Sequence, residues 1–195
     1  NNGWGYDQLD AVWNDHSTTA HNLSISGGGD KIKYFVGGSY IKQGAFMKNL
    51  NFDKYNLRTN ITADLTKNLT LFAGLTVNNN LNYSPTNTAI GDIQGIYRKQ
   101  LLWQPDQPVW TNGGNPIDYG WIGNVGAEVR GDGGYIKGNA IKPILNLQAT
   151  YKIPAIKGLS ASAQFNKSYT NNRSKSYMKH YNMWVMKKTG LHQIS

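Results

Sequence analysis

The chain has 195 residues, with 20 Lys and Arg against 11 Asp and Glu, a formal charge of +9 and no cysteine. The missing thiols exclude disulfides, thiolate metal sites and cysteine nucleophiles, and no run of about 18 apolar residues is available for a transmembrane helix. Hydrophobic residues make up 39% and mean hydropathy is −0.53, values that suit a soluble protein but also a membrane barrel, whose strands give half their residues to a polar interior.

In chain order, the first strand signal is Asn22–Ser26, with Leu23 and Ile25 on one side. Gly27-Gly28-Gly29-Asp30 reads as the turn after it, because glycine reaches positive φ without cost. Lys31–Ile41 alternates next: Ile32, Tyr34, Val36 and Tyr40 share a face, against a mixed face of Lys33, Phe35, Gly37, Ser39 and Ile41. A connection over Lys42–Lys54 leads to the clearest hairpin. Tyr55, Leu57, Thr59, Ile61, Ala63 and Leu65 stand on one face, with Asn56, Arg58, Asn60, Thr62 and Asp64 on the other. After Thr66-Lys67-Asn68 the pattern restarts with Leu69, Leu71, Ala73, Leu75 and Val77 against Thr70, Phe72, Gly74, Thr76 and Asn78. A period of two requires extended strands, since successive side chains point to opposite sides of a pleat. A helix would place its apolar residues three and four apart.

Residues 81–140, rich in Asn, Gly, Pro and Trp, read as one long loop. Alternation returns over Ile141–Lys152, where Pro143 lacks a donor and is expected near the strand's start or at an edge. A Pro154–Gly158 turn leads to a sixth strand from Leu159, with Ala161, Ala163 and Phe165 opposite Ser160, Ser162, Gln164 and Asn166. The pattern fades beyond Tyr169, and no strand is assigned after Asn172.

Connections therefore alternate between short and long, as in an outer-membrane barrel with tight periplasmic turns and extended outer loops. Eleven residues at about 3.3 Å each, tilted near 45°, span roughly 25 Å, the height of such a barrel's apolar band. Tyr34, Tyr40, Tyr55, Tyr151 and Tyr169 fall near strand ends on the apolar face, where an interfacial girdle belongs. Six strands leave two unpaired edges, which hydrocarbon does not tolerate. Either the flanks 1–20 and 173–195 complete a small barrel, or the chain is a sector of a larger one. It opens at Asn1-Asn2-Gly3 without an initiator Met and stops at Gln193-Ile194-Ser195, which favours the sector. The fold class expected is all-β, an antiparallel transmembrane barrel sector of about six strands with long extracellular loops. A soluble glycan-binding β-sandwich is the competing architecture.

His21-Asn22-Leu23-Ser24-Ile25-Ser26-Gly27-Gly28-Gly29, followed by Lys33-Tyr34-Phe35 and Gly38-Ser39-Tyr40, resembles the signature of SusC/RagA-like TonB-dependent transporters. The likeness continues through Phe52-Asp53-Lys54-Tyr55-Asn56-Leu57-Arg58-Thr59-Asn60-Ile61, Ile96-Tyr97-Arg98-Lys99 and Lys157-Gly158-Leu159, ending near Asn172–Tyr177. Trp4–Trp13 loosely matches the aromatic-acidic lead-in. Asp53 and Lys54 depart from the family's usual basic pair, and 81–140 has no close counterpart. The resemblance implies a twenty-two-stranded barrel closed by a plug, in the outer membrane of Bacteroidetes-like Gram-negative bacteria. Residues 1–195 would be part of that single barrel domain, without the plug or the remaining strands. It implies as partners a SusD-like surface lipoprotein, the TonB complex acting through the absent plug, a glycan or peptide substrate, and membrane lipid and lipopolysaccharide. An accessory subunit of an outer-membrane assembly or secretion machine is the alternative role.

No carboxylate pair stands out for acid–base catalysis, so no catalytic residue, cofactor or enzymatic activity is expected. His16, His21, His180 and His192 lack ligand spacing, which argues against a metal site. The scattered Lys and Arg favour a solvated or headgroup-facing surface over a nucleic-acid stripe. The Asn-x-Ser/Thr triplets at Asn22, Asn60, Asn68, Asn166 and Asn172 follow from alternation and are not read as glycosylation sites. Trp103, Trp110, Tyr119 and Trp121 in the long loop are candidate substrate or partner contacts, since aromatic faces stack on sugar rings. Packing of the loop on itself, or against a lid, is the alternative. Arg58, Asn60, Asp64 and Asn78 are the candidate lumen-facing residues.

Overall fold

The computed structural model describes residues 6–85, 93–187 and 190–194. Trp4, part of the aromatic-acidic lead-in, lies outside them. A short helix α1 (Leu9–Val12) precedes strands β1 (Thr18–Gly28), β2 (Ile32–Gly44), β3 (Asn51–Asp64) and β4 (Leu69–Pro85). Two α-helices, α2 (Ile93–Leu102) and α3 (Val125–Arg130), with a 3-10 turn at Gly120–Ile122 between them, then separate β4 from β5 (Gly134–Lys152). β6 (Ser160–Ser168), β7 (Asn171–Met178), β8 (Met183–Lys187) and β9 (Gly190–Ile194) follow.

The first six strands pair with their sequence neighbours in one antiparallel sheet, and β7 also pairs with β5. The register explains the seventh strand. Ile144 faces Ser168 and Ile141 faces Asn171, so β6 and β7 lie on β5 in one unbroken register. The gap falls at Tyr169 and Thr170, opposite Pro143 and Lys142. Pro143 accepts from Tyr169 N at 3.1 Å, so its missing N–H also faces β6 and β7, because paired residues in an antiparallel ladder exchange both bonds. This corrects the expected place for Pro143: it sits within β5, opposite Val77 of β4, and interrupts the ladder on one side only.

The strands run well beyond their alternating segments. β1 starts at Thr18, β3 at Asn51 and β5 at Gly134, while β4 continues to Pro85. The expected connection over 42–54 contracts to Ala45–Leu50, and the loop over 81–140 to residues 86–133. At that end of the sheet the sequence loses its period while the backbone keeps pairing. Pairing also persists after Asn172, through β7 and the separate β8–β9 hairpin.

The Gly27–Asp30 turn needs correction too. Gly27 and Gly28 lie inside β1, opposite Tyr34 and Lys33. A Cβ on Gly27 would stand 2.6 Å from Tyr34 Oη, so a larger residue there requires the tyrosine ring to shift. The other tight end at this side uses Thr66, whose hydroxyl accepts from Leu69 N at 3.0 Å. That is the side-chain turn expected of threonine.

The buried core is not on the sheet. Val12, Met47, Ile96, Trp103, Val109, Val125 and Val129 form it, all from α1, the Ala45–Leu50 turn and the long loop. α2 contributes Ile96 and Lys99 to this core, with Trp103 one turn beyond, at helical spacing. α3 is buried through Val125, Gly126, Ala127, Glu128 and Val129. The result is a cap seated at the long-loop end of the sheet. No helix among the described residues is long and apolar enough to cross a membrane, which does not bear on strands.

Candidate functional site

Register turns the alternation of single strands into two continuous faces. Leu57 pairs with Val77, Ile61 with Ala73 and Ala63 with Leu71. Across the next ladder Leu75 meets Leu145, Ala73 meets Leu147 and Leu69 meets Tyr151. Leu147 in turn meets Phe165. The same rows reach back through Val36 and Tyr34 to Ile25 and Gly27. This belt lies open: Leu23 is 74% exposed, Ile25 61% and Phe165 55%. In a water-soluble sheet such a face is covered by a second layer; among the described residues nothing covers it. Lys167, opposite Leu145, is the one charge within the belt.

The opposite face is mostly polar, with Phe35, Ile41, Phe72 and Ile144 among its residues. Asn60 pairs with Gly74, Arg58 with Thr76, Asn56 with Asn78 and Asp64 with Thr70. Thr70 Oγ1 donates to Asp64 Oδ1 at 2.5 Å, and Asn56 Nδ2 donates to Ser39 Oγ at 2.8 Å. Arg58, Asn60, Asp64 and Asn78 therefore all stand on the face away from the belt.

The cap is held by polar anchors threaded through its apolar core. Asn124 is fully buried. Its side chain accepts from Ala127 N at 2.8 Å, capping α3, and donates to Val109 O at 2.6 Å and Ile117 O at 2.9 Å. Lys99 Nζ meets Glu128 Oε1 at 2.6 Å, with both side chains buried. Burial pushes the Glu128 carboxyl upward, while the hydrogen bond and charge of Lys99 pull it back. Asn49 Nδ2 donates to Val129 O at 3.0 Å, Lys48 N to Val12 O at 2.9 Å, and Gln8 Nε2 to Gln107 O at 3.0 Å. These bonds join α1, the Ala45–Leu50 turn and α3 into one unit. β8 is attached through Trp184 N to Pro116 O and Asp118 N to Trp184 O, both at 2.8 Å.

The four loop aromatics occupy different positions. Trp103 is buried, donates Nε1 to Gln107 O at 3.0 Å, and meets Tyr119 edge-on with centroids 4.7 Å apart. Tyr119 donates its hydroxyl to Pro108 O at 2.9 Å, and burial pushes its pKa up to about 12. Trp110 is half-buried beneath the Arg130 guanidinium, 4.4 Å from the ring centroid. Trp121 alone of the four is largely exposed, at 75%.

A second aromatic cluster has no counterpart among the sequence-based candidates. Trp13, Phe46, Met47, Leu50, Tyr97 and Arg98 line an open apolar groove of about 490 Å³. Trp13 meets Tyr97 edge-on at 6.1 Å, and Phe46 lies 3.8 Å from His16. Its members come from α1's end, the turn after β2, and α2, so no local spacing brings them together. The aromatic content around Trp13 and Tyr97 is the one signal that points to it.

No family model matches the chain. Over 61 residues, 31% of the chain, it is 31% identical to the TonB-dependent receptor P3 of Formosa agariphila, of which it spans 6%. The structure of the RagAB peptide importer in a closed-closed state superposes with a TM-score of 0.67 at 20% identity, covering 89% of this chain and 20% of that one. The chain thus spans a small part of each protein it matches. Both are named for reception or import, and neither as an enzyme. On these grounds the chain is a sector of a β-barrel like that of the SusC/RagA-type TonB-dependent receptors.

Proposed function

We propose that this chain forms part of the wall and outer cap of an outer-membrane importer that takes up oligosaccharides or peptides with energy delivered by TonB. The observation that carries the reading is the uncovered apolar belt backed by a polar face. A sheet with one greasy and one polar side needs lipid outside and water inside, and a closed barrel supplies both. Arg58, Asn60, Asp64 and Asn78 then line the lumen. The cap stands on the external side, because the tight turns mark the periplasmic end.

The groove at Phe46 and Tyr97, with Trp121, is the surface offered to a SusD-like lipoprotein lid. Exposed aromatics around a preformed apolar groove are the usual anchors of such contacts. Trp103 shares the cap's core with Met47 of the groove, and Trp110 and Tyr119 pack against that core. Similarity to the RagAB peptide importer favours peptide cargo, while the aromatic cap also suits sugar rings.

The test is deletion in the native host, followed by uptake of labelled oligosaccharide and labelled peptide mixtures and by purification of the full-length protein from outer membranes. Loss of uptake of either cargo, with envelope assembly intact and a lipoprotein co-purifying, is expected. Normal uptake together with co-purified secretion or assembly components overturns the importer reading in favour of an accessory subunit.

A further inference from the structure

Above the belt, on the same face, lies a groove of about 400 Å³ with Leu81 and Tyr83 in its wall and Lys137, Arg173 and Lys175 around it. Ile141 belongs to the upper edge of the belt, and the ladder places Asn139 opposite Arg173 and Lys137 opposite Lys175 just beyond it. All carry the outward parity of Ile141. Two to four residues along a strand tilted near 45° amount to roughly 5–9 Å of height. A bilayer's headgroup zone extends about that far beyond its hydrocarbon.

The charges there are unbalanced. Like charges directly opposite each other on paired strands destabilise a sheet. The ion pairs among the described residues are Lys48–Asp10, Lys99–Glu128 and Arg130–Asp132, none of which includes these three cations. The one carboxylate at the groove, Asp53, accepts from Tyr40 Oη at 2.8 Å. Lys137 Nζ is also held over the faces of Tyr135 and Tyr83, at 4.6 and 5.5 Å from their centroids. Those rings orient the ammonium without neutralising it. The site therefore presents an ammonium held over two aromatic rings, a short apolar wall continuous with the belt below, and three cations against the single carboxylate of Asp53.

We propose that this outward groove binds the phosphate of an outer-leaflet lipid headgroup, with Lys137, Arg173 and Lys175 on the phosphate and the acyl chains running down the belt. Continuity with the belt selects a lipid over free phosphate, since the apolar wall adds affinity only to a ligand that carries chains. The proposal rests on the belt being the lipid face.

The experiment uses the full-length protein in phosphatidylcholine nanodiscs doped with phosphorylated lipid A or its dephosphorylated form, with retained lipid counted by native mass spectrometry. The phosphorylated form is expected to be retained at least about tenfold more, to be released by salt, and to resist millimolar inorganic phosphate. The triple variant Lys137→Gln, Arg173→Gln, Lys175→Gln is expected to lose that preference while keeping a folded barrel's heat-modifiable gel mobility. Equal retention of both forms by the native protein overturns the proposal without touching the belt, as does release by inorganic phosphate. A protein that stays monodisperse without detergent or nanodisc overturns the belt and the proposal together. The lipid comparison is made on the native protein, so it decides the matter even where the triple variant fails to fold.

Discussion

Tyr169 donates its backbone N–H to Pro143 O at 3.1 Å, but nothing at position 143 can donate in return. That single missing proton divides β6 from β7, although both keep one register on β5. Pro143→Thr is expected to close the gap. The new bond contributes about 0.5–1.5 kcal/mol, offset in part by the greater freedom of the unfolded chain without proline, about 0.4–1 kcal/mol. Stability should move little, so amide hydrogen exchange is the sharper measurement. The amide at position 143 should be protected to the level of its neighbours in β5. Fast exchange there would mean that the break has another cause.

The two faces of the sheet should tolerate charge unequally. Leu57→Arg or Leu75→Arg is expected to cost about 2–4 kcal/mol near the bilayer midplane, and less toward either surface. Asn60→Arg, on the opposite face beside Gly74, should be far milder. Urea titrations of the full-length protein folding into vesicles measure both. Equal costs at Leu57 and Asn60 would invert or abolish the facing assignment.

Within the cap, Lys99 and Glu128 stabilise one another only as a pair. Removing either partner breaks the buried ion pair, and Lys99→Met or Glu128→Leu is expected to cost about 3–5 kcal/mol. The double substitution should recover most of that loss, since two apolar side chains of similar volume need no partner. Chemical denaturation followed by tryptophan fluorescence measures the cap, because Trp103 is buried in it.

Alkaline pH should loosen the same cap. Burial raises the Tyr119 hydroxyl from 10.0 to about 12, so the fold favours the neutral phenol. The stability that follows from this preference is fully present below pH 10 and is lost as pH rises through about 12. Tyr119→Phe should flatten that part of the stability profile while forfeiting the bond to Pro108 O, at about 1 kcal/mol. A native profile already flat between pH 10 and 12 would show that Tyr119 ionises as freely as a surface phenol.

Phe46→Ala and Tyr97→Ala should weaken capture of the lipoprotein lid by about tenfold or more each, because exposed aromatic anchors dominate such contacts. Surface plasmon resonance with the full-length barrel and its co-purified lipoprotein supplies the measurement. Unchanged affinity in both variants would move the lid away from this groove.

The wall of the barrel is legible from its sequence because register and period reinforce each other. Once Leu57, Ile61 and Leu75 are placed on one face, pairing fixes the remainder. Legibility stops where the apolar belt stops. Asn51–Lys54 and Gly134–Ala140 are strands beyond the belt, so no apolar alternation distinguishes them from loop. The cap is opaque for a different reason. Its core joins Val12, Met47, Ile96 and Val129, four residues from separate segments, and only their contact reveals them as a group. Asn124 is invisible as an anchor, since a capping asparagine and a loop asparagine look alike until the helix is seen. Trp103 and Trp121 are the same residue type in the same loop, yet one is buried and the other 75% exposed.

With the belt in lipid, as proposed, the separation of the buried core from the sheet means that one polypeptide folds in two solvents. The belt then draws on hydrocarbon without expelling much water from a core, whereas the cap depends on the hydrophobic effect and so on water itself. A detergent of the wrong chain length strains the wall and leaves the cap intact. Urea at moderate concentration acts first on the cap and leaves the hydrogen-bonded wall standing. Heat-capacity change on unfolding, which tracks apolar surface newly exposed to water, should therefore reside almost wholly in the cap. The wall and its crown then answer to different thermodynamics.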